Sequence, residues 1–388
     1  MSKLLEQINQ NKKQIRIGEL CSRIFSGGTP TTTNSDFWNG DIPWLSSGET
    51  RNDFINFTEK TITKEGVENS STKLALKDDI VIATAGQGLT RGQVSYLNID
   101  TYINQSLISL RVNSEKLDSR YLYYNLKSRY TELRSLSDDT SSRGSITIPI
   151  LSRMEIDTHN LSTQKKIAEI LSAYDEKIEN NKKIIKNLEA VTQTIFNEWF
   201  VNFRFPGHEK VKMVESEMGE IPEGWEVRSV LDVIERISVG KKFENKTASP
   251  TGKVPILDQG ASGFIGYHDE EPGVVASIDN PVVVFTNHTC YYRIITEPFS
   301  CIQNVLPYVG KKEYDTFFIY FLTKDKIKMS EYKGHWPEFE QQVFVIPTIE
   351  MAKKFSEKAK VFIQNIVACE KENISLKSQR DQLLKKLI

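Results

Sequence analysis

Apolar positions alternate between two rhythms along the chain. Before residue 150, and again between residues 225 and 347, short runs of β-branched and aromatic residues are bounded by Gly, Pro, Asn and Asp, which predicts strands joined by turns. From Ile167 the rhythm lengthens. Ile167, Leu171, Tyr174, Ile178, Asn181, Ile185, Leu188, Thr192, Ile195 and Trp199 follow in steps of four and three, with Glu and Lys between them. That spacing is a heptad seam, and its persistence over about four heptads favours a coiled coil over a surface helix lying on a single core. Near the C-terminus Phe355, Ala359, Phe362, Ile366, Cys369, Asn373, Leu376, Arg380, Leu383 and Leu387 repeat it, with Gln164–Ile167 falling on Ala352–Phe355. This second seam is diluted by Ala359, Cys369, Asn373 and Arg380. Each seam holds one Asn, Asn181 or Asn373, a placement that lowers stability but fixes register. Two such helices in one chain are expected to pair with each other, antiparallel.

The strand-rich blocks are also duplicated. "FSGG" (Phe25–Gly28) corresponds to "ISVG" (Ile237–Gly240), and "IPWLSSG" (Ile42–Gly48) to "VPILDQG" (Val254–Gly260). "DIVIATAGQG" is set against "GVVASIDNP", "NQSLISL" against "QNVLPYV", and "YLYYNL" against "FFIYFL". The shared order argues for two homologous units with divergent loops. The expected fold class is α+β: two similar strand-rich domains separated by two long helices that form an antiparallel coiled coil, an internal pseudo-repeat. The expected boundaries are 1–150 for the first domain, 151–205 for the central helical region and 206–224 for a linker. The second domain takes 225–347 and the C-terminal helix 348–388. Pro206-Gly207 stops the first helix, and Pro222 and Gly224 open the second domain.

Bulk properties narrow the class. At 388 residues the chain exceeds one ordinary core, and 39% hydrophobic with 26% charged residues is a soluble globular balance. No run approaches the roughly 20 apolar residues needed to span a bilayer, and the start lacks a signal-peptide core, so a cytoplasmic location with no membrane partner is expected. Cys21, Cys290, Cys301 and Cys369 show neither CxxC spacing nor His partners, which fits a reducing compartment and no metal site. With 50 basic and 51 acidic residues the net charge is −1, mildly against a nonspecific polyanion binder but compatible with local basic groups. Two different faces on a duplicated scaffold suit a molecule that reads two things at a fixed separation. The stretch Ile167–Trp199 would extend about 50 Å as a helix, on the order of one and a half turns of duplex DNA.

Three stretches in combination resemble one family. "GEIPEGWEV" leading into the second domain, "QKKIAEILSAYDEKIENNKKIIKNLE" leaving the first, and the aromatic tail "IFNEWFVNF" are similar to the specificity (S) subunit of type I restriction–modification enzymes, over nearly the whole chain. The resemblance implies that each domain reads one half of a split double-stranded DNA target and that helix length sets the unread gap. It further implies docking of two methyltransferase (M) subunits, joined by restriction (R) subunits. S-adenosylmethionine, ATP and Mg would belong to those partners, with no cofactor on this chain. The first domain departs from the pattern, having no GEIPEGW before it and starting from a Lys/Gln-rich segment.

Base edges are read by Arg, Lys, Asn and Gln, whereas phosphate contacts position the protein. In the first domain the candidates are Ser46 and Ser47; Gln87, Thr90, Arg91 and Gln93 on "TAGQGLTRGQV"; and Ser141, Ser142 and Arg143 on "SDDTSSRGSIT". In the second they are Lys241 and Lys242; Asn287, His288 and Thr289, in a Phe-x-x-His-Thr stretch related to one that family members carry; and Lys333, His335 and Trp336 on "EYKGHWPEF". The rival reading of the Gly-rich loop is an ordinary hairpin connection, and that of His335 and Trp336 a buried core pair. There is no GxxxxGK[ST] loop, no GxGxxG and no full amino-methyltransferase signature, so a non-catalytic binding subunit is expected. A coiled-coil adaptor without DNA specificity stands as the alternative, and a free-standing nuclease or methyltransferase is disfavoured.

Overall fold

The computed structural model describes residues 12–86, 89–136, 145–260, 263–311, 313–331 and 333–388. It divides into two compact units, Met1–Asn180 with Glu372–Ile388, and Asn181–Lys371. The first unit runs β1 (Lys13–Arg16), α1 (Ile17–Leu20), β2 (Cys21–Ser26), β3 (Trp38–Leu45), β4 (Phe54–Ile55) and β5 (Lys60–Ile62). It continues through α2 (Lys64–Glu68), β6 (Lys73–Ala75), β7 (Ile80–Ala83), β8 (Val94–Leu97), β9 (Thr101–Ile103) and β10 (Leu107–Val112). Helices α3 (Ser119–Ser128), α4 (Tyr130–Ser135) and α5 (Ile148–Arg153) and strand β11 (Glu155–Thr158) then lead into α6 (Leu161–Phe196).

Two sheets, ordered β2-β10-β7-β8-β4 and β5-β3-β9-β6, face each other, and β1 pairs antiparallel with β11. Strand β7 shows why the run "IVIA" is apolar throughout. Ile80 and Ile82 point into the core beneath α3, while Val81 and Ala83 point into the core shared with the second sheet, so both faces of the pleat are dry. Just before it, the buried Asp79 carboxylate is held by Arg111 Nη2 at 2.9 Å and Nε at 3.0 Å and by Ser109 Oγ at 3.2 Å. Gly27 lies so close to β9 that a Cβ there would fall 1.8 Å from the Ile103 carbonyl oxygen. Gly27→Ala is therefore expected to cost about 1–3 kcal/mol through forced backbone displacement, read as a lower urea midpoint. An unchanged midpoint would show that the two strands part freely.

The second unit follows the same plan. It contains β12 (Met213–Ser216), β13 (Gly219–Pro222), β14 (Glu226–Ser229), α7 (Val230–Val233), β15 (Ile234–Arg236), β16 (Lys242–Phe243), β17 (Val254–Leu257) and β18 (Phe264–His268). Then come β19 (Val282–Thr286), β20 (Tyr292–Ile295), β21 (Ser300–Ile302), β22 (Val305–Gly310), α8 (Thr316–Thr323), α9 (Trp336–Glu340), β23 (Val343–Ile346) and α10 (Ile349–Leu387). The order β15-β22-β19-β20 matches β2-β10-β7-β8, and β18-β17-β21-β16 matches β5-β3-β9-β6. The pair β14–β23 answers to β1–β11. Here too β19 is buried on both faces, with Val283 and Phe285 in one core and Val282 and Val284 in the other.

Three details differ from the expectations. The counterpart of "DIVIATAGQG" is the stretch containing β19, not "GVVASIDNP", which contributes only an isolated bridge between Val274 and Phe299. Both candidates begin with β-branched residues and end in turn formers, so composition alone does not separate them. The fourth strand of the second sheet is also drawn from different places. β6 follows β3 and runs antiparallel to β9, whereas β16 precedes β17 and runs parallel to β21. Within residues 206–224, the expected linker, lies the hairpin β12–β13.

Each unit contains one half of each long helix, packed antiparallel. In the first, Asp175 and Lys177 of α6 meet Arg380 and Glu372 of α10; in the second, Phe196 and Trp199 pack on Phe355. Ile167, Leu171, Ile178, Asn181, Phe355 and Asn373 are buried as a seam requires, and Ile185, Leu188, Ile366 and Leu376 are half-buried. Four seam assignments need correction. Asp175, Phe196, Ile363 and Leu384 are the buried residues, and their neighbours Tyr174, Ile195, Phe362 and Leu383 are half-buried. Both helices lie on a globular core as well as on each other, and a helix doing so buries a wider stripe with i, i+4 steps than a 3.5-residue seam.

Candidate nucleic-acid interface

In the first unit the loop tips gather at one end of the sheets. Strand β3 ends at Leu45, and Ser46 caps a 3₁₀ turn, Ser47–Arg51, with its amide and hydroxyl both directed to Glu49 Oε1 at 3.0 and 3.1 Å. The turn is tied to the β7–β8 connection by Thr50 Oγ1, which donates to Gln93 Oε1 at 3.1 Å. That connection is shaped by Gly92, whose φ of +85° favours glycine and whose amide donates to the Ala83 carbonyl at 2.8 Å. Tyr130 of α4 donates to the Leu89 carbonyl at 2.9 Å, and Arg134 donates to the Tyr130 hydroxyl at 3.0 Å. Thr50, Arg51, Leu89, Gln93, Lys127 and Tyr130 are among the residues lining a cleft of 340 Å³. Ser46, Ser47, Thr90, Arg91 and Gln93 thus belong to two connected loops. Gln87, Ser141, Ser142 and Arg143 fall outside the described residues. Arg51, Lys127, Tyr130 and Arg134 were not singled out from the sequence. Arg51 directly follows "SSGET", but the other three come from helices that only the fold brings here.

In the second unit the equivalent tips are Asp258–Gly260, the β19–β20 turn and the segment before α9. Thr289 donates to the Gln259 carbonyl, and the His288 amide donates to Gln259 Oε1 at 3.1 Å. Asn287 is the clamp. Its carbonyl accepts from the His335 amide at 2.8 Å and its Oδ1 from the Trp336 amide at 2.8 Å. Arg293 braces the hairpin beneath by donating to the Asp258 and Gly260 carbonyls, and burial pulls its pKa down. Gln259 and Arg293 were missed in the sequence, although Gln259 falls opposite Ser47 in the aligned "VPILDQG". Lys333 is exposed and paired with Glu338 at 2.8 Å, and Lys241 is exposed and paired with Glu270 at 2.6 Å; Lys242 is exposed beside it.

His335 and Trp336 need correction as base-reading candidates. His335 is fully buried, with Nδ1 against Glu338 Oε2 at 2.9 Å and Nε2 against the Glu331 carbonyl at 3.1 Å. The Trp336 indole packs on Phe339 and Phe285 and donates to Glu340 at 2.6 Å. Both ring edges are spent inside the fold, so these residues shape the loop that presents Lys333. Asn287→Ala is expected to release that segment at a cost of about 1–3 kcal/mol, seen as faster amide exchange at Trp336.

Comparison with known proteins points the same way as the sequence resemblance. Residues 9–190 match the model of the type I restriction modification DNA specificity domain. The MjaIX specificity subunit of Methanocaldococcus jannaschii is 26% identical over 97% of this chain and 92% of its own length. The EcoR124I/EcoR124II specificity subunit of Escherichia coli is 31% identical over 41% of this chain and 40% of its own. The crystal structure of an S subunit from M. genitalium aligns over 98% of this chain and 96% of its own with a TM-score of 0.62 at 19% identity, a likeness of fold. Over nearly its whole length the chain is similar to type I specificity subunits. Nothing in these matches favours an adaptor without DNA specificity.

Two of the three stretches that carry the resemblance, the aromatic tail and GEIPEGWEV, lie together in the second unit, while the helical stretch 164–189 runs from the first unit into the second. The aromatic tail leaves α6 through a π-helical turn, Asn197–Val201, which turns Trp199 and Phe200 inward. Trp225, from the GEIPEGW stretch, stacks on Phe205 at 5.2 Å and meets Phe203 edge-on at 5.5 Å and Phe200 at 5.8 Å. Phe196 and Phe200 then pack on Phe355 of α10, so the motif residues anchor helix to domain and do not form a reading surface. Where the first unit lacks that stretch, β1 still pairs with β11 as β14 does with β23. No helix among the described residues is long and apolar enough to cross a membrane.

Proposed function

We propose that this chain is a specificity subunit that reads a bipartite, gapped duplex DNA target, one half with the loop tips of each unit, and assembles the enzyme around itself. The observation that carries the reading is the repeated strand order with unlike residues at matching tips. Residues 46–51, 84–86 and 89–93 in one unit stand against 258–260 and 287–289 in the other. A duplicated scaffold keeps the presentation constant while Arg, Gln, Asn and Thr side chains change which base edges are met. The paired helices α6 and α10 would dock two methyltransferase subunits, with restriction subunits joining them. S-adenosylmethionine, ATP and Mg then act on those partners in the cytoplasm, and this chain contributes no catalytic group. A net charge of −1 leaves the nonspecific affinity to local basic residues and to the partners.

The test is purification with the methyltransferase subunit encoded beside it, followed by mapping of methylated adenines in a host carrying both. A gapped consensus, with steeply salt-dependent binding of the complex, is expected. Stable assembly with no DNA preference would overturn the proposal. Arg91→Ala is expected to weaken one half-site by about 1–3 kcal/mol and relax its sequence, leaving the other half intact. Equal loss on every sequence would instead make Arg91 a phosphate contact.

A further inference from the structure

The two units differ at one sheet edge. In the first, the order β2-β10-β7-β8-β4 ends on β4, which runs parallel to β8 and is carried by the connection 46–59 between β3 and β5. In the second, the matching connection is residues 258–263. At about 3.3 Å per residue that is too short to travel out to the sheet edge and back. Among the described residues β20 pairs with β19 alone. In the first unit the Tyr96 and Asn98 amides donate to the Asp53 and Ile55 carbonyls, both at 3.0 Å. Along the matched strands Ile294 and Thr296 stand in their places. β20 therefore presents the edge that β4 covers on β8, and such an edge is a template for another strand.

A cleft of 320 Å³ runs along it, walled by β20, α8 and the two long helices. In the first unit Phe54 packs on Tyr96 and Tyr123, with ring centroids 6.3 and 5.4 Å away, and Asp53 pairs with Lys127 and lies 4.0 Å from Arg380. With the cap residues Asp118 and Asp315 and the two helical seams aligned, those four partners become Ile294, Tyr320, Lys324 and Thr192, and all four line the cleft. Contacts support the alignment: Lys127 lies over Tyr123 at 5.4 Å, and Lys324 over Tyr320 at 5.7 Å. The cleft is deep because Thr192 stands where the first unit has Arg380, with Ile363 and Phe321 in place of Asp175 and Tyr124.

The charges are exchanged as well. In the first unit the helix presents a cation, Arg380, and the strand an anion, Asp53. In the second the helices present Glu189 and Glu370, where the seam alignment gives Lys377 and Lys182 in the first. Desolvation, then Glu189 and Glu297, hold the Glu370 pKa above its ordinary value, as expected of carboxylates short of a counter-ion. The cations on the walls are engaged elsewhere, Arg293 on the Asp258 and Gly260 carbonyls and Lys324 over the Tyr320 ring. We propose that this cleft docks an extended segment of a partner protein, which adds to β20 as a fifth strand. An aromatic or aliphatic side chain of the segment packs on Ile294 and Tyr320, as Phe54 does on its own partners. The preceding residue is Lys or Arg, directed past Thr192 to Glu189 and Glu370. Backbone bonds along β20 supply affinity, and these two side chains supply specificity.

The probe is a fluorescent peptide of residues 50–57 of this chain, TRNDFINF, carrying Asp53→Lys and titrated into the full chain by anisotropy. It is expected to bind about tenfold or more tightly than the unaltered peptide, and to slow amide exchange at Ile294 and Thr296. In a chain carrying Glu189→Lys and Glu370→Lys, both at exposed positions, the preference should reverse in favour of the Asp53 peptide. Equal affinity of the two peptides, or no binding by either, would overturn the proposal, as would binding that leaves exchange along β20 unchanged. Concentration-dependent dimerisation that excludes the peptide would assign the edge to a second copy of the chain and overturn it too. None of these outcomes bears on whether the loop tips read DNA.

Discussion

Replacing Arg380 with alanine is expected to cost the first unit about 3–5 kcal/mol, because it strands a buried carboxylate. Arg380 is 6% exposed and Asp175 4%, and the guanidinium Nη1 bonds directly to Asp175 Oδ1. The other Asp175 oxygen accepts from the Tyr124 hydroxyl at 2.6 Å, while Arg380 Nε and Nη2 reach Asp381 at 3.0 and 2.8 Å. Asp53 lies 4.0 Å from Arg380 and pairs with Lys127, so the helix pair is joined electrostatically to the wall of the 340 Å³ cleft lined by Thr50, Gln93 and Tyr130. Burial, and then Asp175, push the Tyr124 pKa upward, which keeps its hydroxyl a donor throughout the physiological range. Removing the polar set together, as Arg380→Met, Asp175→Leu and Tyr124→Phe, leaves no orphaned charge and should recover most of the lost stability. Urea unfolding of the single and triple variants separates the two cases. A single variant with the parent's midpoint would mean that the network holds nothing.

Arg380 also shows where pattern reading stops. As a seam position it looks like a defect, and Asp175 looks like one more charge on a solvated flank. Only the antiparallel pairing, which sets residues 205 apart in sequence against each other, makes them complementary. The helices themselves were legible because a 3.5-residue rhythm is local, and the duplication because landmarks recur in order. The exact stripe was not legible, since Phe196 and Ile363 are buried by the domains as much as by the opposite helix. The loop tips were half legible. Thr90, Arg91 and Gln93 lie on a Gly-rich turn that advertises itself, while Lys127 and Tyr130 reach the same cleft from helices whose sequence signals only packing. His335 and Trp336 failed for the opposite reason: a Gly/Pro-bounded loop suggests exposure, but Asn287 folds it inward.

Seven residues inserted into both long helices, after Asn180 and after Lys371, are expected to lengthen the gap between the two half-sites while leaving their base sequences unchanged. The pairing inside each unit is antiparallel, so extending α6 alone would slide Asp175 off Arg380 or Phe196 off Phe355. Extending both by one heptad preserves those contacts, because seven residues return nearly to the same helical face. The added length is about 10 Å, on the order of three base pairs. A shift of that size also turns the second half-site around the duplex by roughly a quarter of a turn, so binding should weaken even as the preferred gap grows. Mapping methylated adenines in a host carrying the lengthened subunit, with its methyltransferase partner, reads both effects at once. Half-sites that change along with the gap would mean that the helices shape the reading loops and do not merely hold them apart. If instead the gap stays as it was, helix length is not what measures it, and separation must be set by the bound partners.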